Sequence, residues 1–253
     1  METIAVANQK GGAGKTSTAA ALWAYCNAHG KRALAIDLDA QGNLSLLADA
    51  DTDGATVFGA LQKEISLGDA IQHAEAGDIV AASPLQNTAD TVLQMLGKER
   101  RLAEALDTLP PDAYDFVIID TPPHMGVLTL NALAAADRVI IPAQADVFSL
   151  HGIGQLEDSA EAVRAYAGNP ALRIDGILLT RYNDRANVSK AVRDAMQGKA
   201  EAMGGRLYAA TIRESVKVKE AQIARKDIFT YAPGANVAED YAAFCREFLE
   251  GIR

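Results

Sequence analysis

Thr3-Ile4-Ala5-Val6-Ala7-Asn8-Gln9-Lys10-Gly11-Gly12-Ala13-Gly14-Lys15-Thr16-Ser17 is a β-branched and aliphatic run that passes through a glycine-rich turn into the alanine-rich stretch 18–28. A strand, a tight turn and a helix in that order bring backbone N–H groups and the positive end of a helix together, which is what a phosphate group needs. Lys15 is placed to reach the β- and γ-phosphates of a nucleotide. Thr16 is placed to offer its hydroxyl to Mg²⁺, a hard cation that keeps several waters and takes one or two protein oxygens. The general phosphate-loop pattern begins with a glycine five residues before Gly14, where this chain has Gln9; Gly11, Gly12 and Gly14 meet the same need. A ligand-free tight turn would explain the glycines but not Lys10, Lys15 and Thr16.

Outward from the loop, short apolar runs recur at 3–7, 33–37, 78–81, 116–120, 138–142 and 176–179, separated by longer stretches of helical periodicity. That alternation predicts a parallel sheet covered by helices, and runs as apolar as 117–119 and 139–141 suit strands buried on both faces. The expected fold is therefore α/β, doubly wound and mostly parallel, in one domain spanning 1–253. Residues 49–77 are more polar and punctuated by glycines, with a short helix expected near 57–64.

Two of the strands end in acids. Asp37-Leu38-Asp39-Ala40-Gln41-Gly42-Asn43 puts carboxylates on alternate positions at a strand's C-terminal end, the edge where open α/β sheets bind ligands. Asp115-Phe116-Val117-Ile118-Ile119-Asp120-Thr121-Pro122-Pro123-His124 delivers Asp120 to the same edge. Capping of the next element is the plainer role open to Asp37 and Asp39.

The form KGGxGKT[ST] at 10–17 resembles the deviant Walker A motif of the ParA/MinD superfamily, distinguished by its early lysine, here Lys10. The segment 37–43 is similar to that family's DxDPQGN switch, with Ala40 for the usual proline. Residues 116–123 resemble its Walker B strand and D-x-P-P switch. Similar blocks follow at 131–137, 141–144, 149–156, 176–183 and 215–221.

The resemblance implies an ATPase that binds ATP and Mg²⁺ and forms a homodimer with ATP bridging two subunits, Lys10 reaching the partner's nucleotide. It implies catalytic roles for Lys10, Lys15 and Asp39, the last positioning the attacking water. Nucleotide contacts would come from Lys10, Gly11, Gly12, Ala13, Gly14, Lys15, Thr16, Ser17, Asp37, Asp120 and Pro122, and on the adenine side from Thr180, Arg181 and Arg213. The metal shell would be Thr16, Asp37 and Asp120. Two departures bear on the adenine side: Ile212 stands directly before Arg213 where a proline is usual, and Arg181-Tyr182-Asn183 replaces Met-x-Asp.

The net charge of −9 argues against a surface that coats nucleic acid everywhere. Residues 173–226, however, carry twelve Lys and Arg against six Asp and Glu, an asymmetry that suits one anion-binding face. In ParA-type proteins the C-terminal part of the dimer binds DNA without sequence preference, which makes Lys190, Arg193, Lys217, Lys219, Arg225 and Lys226 candidates. The resemblance also implies a ParB-like stimulatory partner, although the chain enters its first strand by Thr3, without the basic N-terminal region many partner-stimulated members carry.

Other readings follow from the same residues. A MinD-like positioning ATPase would use an amphipathic C-terminal helix on membrane; 237–253 is amphipathic, but Glu239, Asp240, Glu247 and Glu250 suit docking onto the sheet better. An amidoligase on the same fold would not ordinarily need Lys10 or the DxDxQGN segment. An iron-protein reductase would need cluster cysteines that Cys26 and Cys245 do not provide. An ATP-dependent binding module with negligible turnover is opposed by Asp39. Neither a signal peptide nor an apolar run of ~18 residues is present, so the expected location is cytoplasmic, on the nucleoid if DNA binding holds. His29, His73 and His151 have no metal-ligand spacing, and His124 suits a surface or hydrogen-bonding role better than that of a general base.

Overall fold

The computed structural model describes residues 1–93, 97–183 and 187–252, and of residues 187–190 the backbone alone. Its strands are β1 (Glu2–Val6), β2 (Ala33–Asp37), β3 (Ile71–Ala74), β4 (Gly77–Val80), β5 (Phe116–Asp120), β6 (Arg138–Gln144), β7 (Arg173–Thr180) and β8 (Arg206–Ile212). Its helices are α1 (Lys15–Ala28), α2 (Asn43–Leu47), α3 (Val57–Gln62), α4 (Ala89–Val92), α5 (Arg101–Leu106), α6 (Val127–Ala135), α7 (Val147–Tyr166), α8 (Asn187–Ala202), α9 (Val216–Ile223), α10 (Ile228–Tyr231) and α11 (Asn236–Glu250).

The strands form one sheet in the order β3-β4-β2-β5-β1-β6-β7-β8. Every pairing is parallel except β3 with β4. From β1 the chain winds first toward β2 and later toward β6, so β1 and its neighbours β5 and β6 mark the topological switch, and the ligand crevice belongs at their C-terminal ends.

The pleat divides the core in two. Ala5, Leu34, Ile36, Val117, Ile119, Val139 and Ile141 face one helical layer that includes α6 and α7. Ile4, Val6, Ala35, Ile118 and Ile140 face the other, where α1 brings Leu22 and Trp23 and α11 brings Tyr241, Phe244 and Phe248. Burial of each such large side chain is worth ~2 kcal/mol, so α11 is fastened to the sheet by its apolar face. Among the described residues no helix is long and apolar enough to cross a membrane.

The doubly wound, mostly parallel sheet is the one the alternation of runs predicts, and the helix expected near 57–64 is α3. β3 and β8 escape that reading. Both are edge strands: β3 is half-exposed along its length, and β8 mixes buried and accessible positions. Neither offers the continuous apolar run that marks an interior strand.

Candidate functional site

The loop between β1 and α1 turns on two glycines in the left-handed region, Gly12 at φ 73° and Gly14 at φ 93°. Gly14 is also tightly placed, since a Cβ there would sit 3.3 Å from Thr180 Cγ2 and crowd it. Thr180 pins the end of β7 to the loop by donating from Oγ1 to Ala13 O at 2.8 Å. Asn8 steadies the approach: its Oδ1 accepts from Lys10 N at 2.9 Å and its Nδ2 donates to Pro142 O at 2.6 Å. Lys15 is buried at the start of α1. Burial lowers its pKa against the opposing pull of Asp120 and Asp39.

The three acids are finished differently. Asp37 is fully buried, and its oxygens accept from Ser45 N and Ser45 Oγ, both at 2.8 Å, and from Asp39 N at 3.1 Å. Burial raises its pKa to about 6 against those bonds. Asp39 turns one oxygen to Gln41 N at 3.0 Å and lies on the cavity wall. Asp120 is fully buried and neither oxygen has a hydrogen-bond partner. Burial, then the charge of Asp37, pushes its pKa well above the carboxylate range, while Thr16 and Lys15 beside it pull the other way.

An orphaned buried carboxylate next to a threonine hydroxyl is a donor set that fits Mg²⁺. Among the described residues no group of three His, Cys, Asp or Glu could hold a metal by itself. Asp37, grouped with Thr16 and Asp120 by the resemblance, has its oxygens occupied by Ser45 and the Asp39 backbone. In the structure those bonds make Asp37 an organiser of the 37–45 turn, whereas neither oxygen of Asp120 has a partner.

These groups surround a cavity of about 530 Å³. Gly11, Gly12, Gly14, Lys15, Thr16, Ser17, Asp39, Thr180, Arg181 and Arg213 line it, as does Lys219, a DNA candidate from the charge pattern. Ala13, Asp37 and Asp120 are buried behind the wall, as is Pro122; the proline that faces the cavity is Pro123. Arg213 is engaged by Asp240 of α11, its Nε 2.6 Å from Oδ2 and its Nη2 2.8 Å from Oδ1. Its guanidinium thus ties α11 to the wall.

Lys10 meets the site through its carbonyl, which accepts from Lys15 Nζ at 3.4 Å, while its side chain is not among the groups lining that cavity. It forms an ion pair with Asp146, the N-cap of α7, and donates to Gln144 Oε1 at 3.3 Å. Gln144 Nε2 in turn donates to Gly12 O at 3.1 Å. The sequence motifs did not single out Asp146, Gln222 or Tyr241; Gln222 Nε2 reaches Ser17 Oγ at 3.3 Å, and Tyr241 lines the cavity. The one available signal for Asp146 is its position just past the end of β6, at the ligand edge.

The AAA domain family model matches residues 1–174. The chain is 35% identical to the chromosome-partitioning ATPase Soj of Thermus thermophilus over 253 residues, covering all of this chain and 97% of Soj. The chain belongs to the ParA/MinD-type P-loop ATPase family. It is also 34% identical to the chromosome partitioning protein ParA of Myxococcus xanthus, covering 98% of this chain and 87% of that one. A solved structure of cobyrinic acid a,c-diamide synthase from Mycobacterium smegmatis, with bound ATP analogue and magnesium, is similar at 31% identity and a TM-score of 0.84, over all of this chain and 96% of that one.

On this ParA/MinD-type chain the basic candidates outside the cavity differ in their surroundings. Arg193 of α8 lies 5.8 Å from the Tyr182 ring centroid. Lys217 pairs with Glu220 at 2.8 Å, and Arg225 pairs with Asp49. Lys226 is exposed just past α9. The side chain of Lys190 lies outside the described residues.

Proposed function

We propose that this chain is an ATP-driven switch: it binds Mg²⁺-ATP in the cavity of the phosphate loop, pairs with a second copy, hydrolyses ATP, and as the ATP dimer holds DNA without sequence preference. Its service would be partition of a chromosome, plasmid or mobile element. The observation that carries the dimer reading is Lys10, tethered at the rim by Asp146 and Gln144 and outside its own subunit's cavity. A cation so placed is available to a nucleotide in the facing subunit.

Phosphoryl transfer needs chiefly positioning and charge stabilisation. Lys15 supplies a desolvated charge at the loop, and Asp39, held at the cavity wall, orients the attacking water. Thr16 and Asp120 would hold Mg²⁺, which supplies charge neutralisation at the phosphate oxygens. DNA binding is supported by the local excess of cations in 173–226, concentrated on α8 and α9 and the turn after α9. Joining two such faces raises avidity for phosphate backbone.

Sedimentation of the Asp39→Ala protein with Mg²⁺-ATP or ADP, with and without non-specific duplex DNA at low and high salt, tests this. A dimer seen with ATP alone that retains DNA at low salt supports the switch. A dimer indifferent to DNA would redirect the reading to membrane or protein cargo, and equal behaviour in ATP and ADP would end it. In the DNA arm, replacing Arg193, Lys217 and Lys226 together by Glu should abolish salt-sensitive retention while sparing ATP binding.

An amidoligase reading is favoured by the 31% identity to the Mycobacterium smegmatis synthase. Against it, Cys26 and Cys245 are buried, and burial pushes the Cys26 thiol up to about 12 and raises that of Cys245 well above its usual value, the reverse of an activated thiol. ATP turnover that requires an added carboxylate acceptor would favour the synthase reading.

A further inference from the structure

Arg181 follows β7 directly and has φ 49°, a left-handed conformation on a residue with a long side chain. Such backbones are uncommon outside glycine and persist where the surroundings hold them, often at ligand sites. The turn aims the guanidinium at the phosphate loop, since a Cβ on Gly12 would lie 4.0 Å from Arg181 Nη2. The same side chain shares the cavity wall with Gly14, Lys15 and Ser17. Its charge also reaches Tyr241, where burial pushes the phenol up while Thr18, Ser17 and Arg181 oppose that shift. The guanidinium therefore lies close to Gly12 on the cavity wall that Tyr241 also lines.

The resemblance placed Arg181 on the adenine side, where similar chains carry methionine. The observed direction is different. Among the described residues no carboxylate pairs with Arg181, whereas Arg213 beside it on the wall is engaged by Asp240. An arginine held over a loop built for anions is chemically suited to phosphate, which its planar donors can grip in two places.

We propose that Arg181 binds the phosphate chain of the nucleotide held in its own subunit, clamping it against the phosphate loop. This inference rests on the nucleotide reading of the cavity. It assigns the clamp to one side chain at the end of β7, coupled to the loop through the bond from Thr180 to Ala13.

The left-handed backbone provides a clean test, because glycine adopts it without strain. Arg181→Gly should leave the nucleotide-free melting temperature unchanged or raised, yet weaken calorimetric binding of both ATP and inorganic tripolyphosphate roughly tenfold or more, the size expected for a lost charge-assisted contact. Arg181→Lys should recover part of the loss. Tripolyphosphate has no base, so a matching loss with it separates phosphate from adenine contacts. Binding of both probes by Arg181→Gly within twofold of the parent would overturn the clamp, as would a loss confined to ATP or one accompanied by a lower melting temperature. Failure of the parent protein itself to bind ATP would instead remove the nucleotide reading, and the clamp with it.

Discussion

Two buried acidic clusters lie at opposite ends of the same sheet, and they are completed in opposite ways. At the N-terminal ends of β6, β7 and β8, Asp175 accepts from Arg138 Nη1 at 2.8 Å, from Arg206 Nη2 at 3.0 Å and from the Tyr208 hydroxyl. Arg138 is shared with Glu2. At the C-terminal ends of β2 and β5, Asp120 is at least as buried and has no partner for either oxygen. Burial alone does not distinguish structure from function here; satisfaction does. A saturated cluster holds strands together, while an orphaned carboxylate beside Lys15 and Thr16 is the arrangement expected where a bound group completes the site, as proposed above.

The largest effects should come from neutralising one acid at each end. Asp120→Asn keeps the volume and removes a desolvated charge, so the nucleotide-free protein should melt at the same temperature or higher while Mg²⁺-dependent ATP turnover falls about 100-fold or more. Asp175→Asn should do the reverse. It leaves Arg206 without a carboxylate and Arg138 with Glu2 alone, at a cost of about 3 kcal/mol, and should lower the melting temperature by roughly 6–12 °C with turnover per folded molecule retained. Calorimetry and a phosphate-release assay on both variants would break the contrast if Asp120→Asn proved the less stable of the two.

Acid should separate the clusters by sign. Burial works against the Asp175 charge, but Tyr208, Arg138 and Arg206 outweigh it and hold the carboxyl below its usual range. Its contribution is therefore complete above the unfolded carboxylate value of ~3.9 and is lost as pH falls through the lower folded value. Asp37 is raised to about 6, so its burden appears as pH rises from ~4 toward 6 and is relieved on acidification. Denaturant unfolding without nucleotide or Mg²⁺ should show the parent's advantage over Asp175→Asn shrinking below pH 4. Its stability relative to Asp37→Asn should fall between pH 4 and 6. Two parallel profiles would contradict the assignment.

The sequence made one of these clusters legible and hid the other. Asp37, Asp39 and Asp120 close apolar runs beside a glycine-rich loop, so strand pattern and motif point to one edge. Glu2, Arg138 and Arg206 open their strands, where charged residues ordinarily face water, and no spacing joins them to Asp175 across 173 residues of chain from Glu2. The direction of Arg181 was hidden for another reason: it depends on one left-handed backbone position, which a residue's type does not announce unless it is glycine. β3 and β8 were missed because edge strands need bury only part of their surface.

The smallest effect should come from Asp146, which belongs to neither cluster but holds Lys10 at the rim between them and solvent. Burial opposes its charge, yet Lys10 and the Ser149 backbone keep its pKa low. Asp146 also caps α7, accepting from Ser149 N at 2.8 Å. Asparagine caps helices about as well as aspartate, so Asp146→Asn isolates the ion pair from the cap. Both partners are about one-third exposed, and pairs of that kind are worth ~0–1 kcal/mol, so fold stability should hardly change. If the pair restrains Lys10 within the monomer, releasing it should let the ATP dimer form at lower protein concentration, by up to about thirtyfold, because two such pairs are released per dimer. Light scattering across a concentration series, with Asp39→Ala in the background to prevent turnover, reads this directly. A weaker dimer would mean that Asp146 holds Lys10 in its working position, placing the ion pair inside the assembled site and no longer at the monomer's rim.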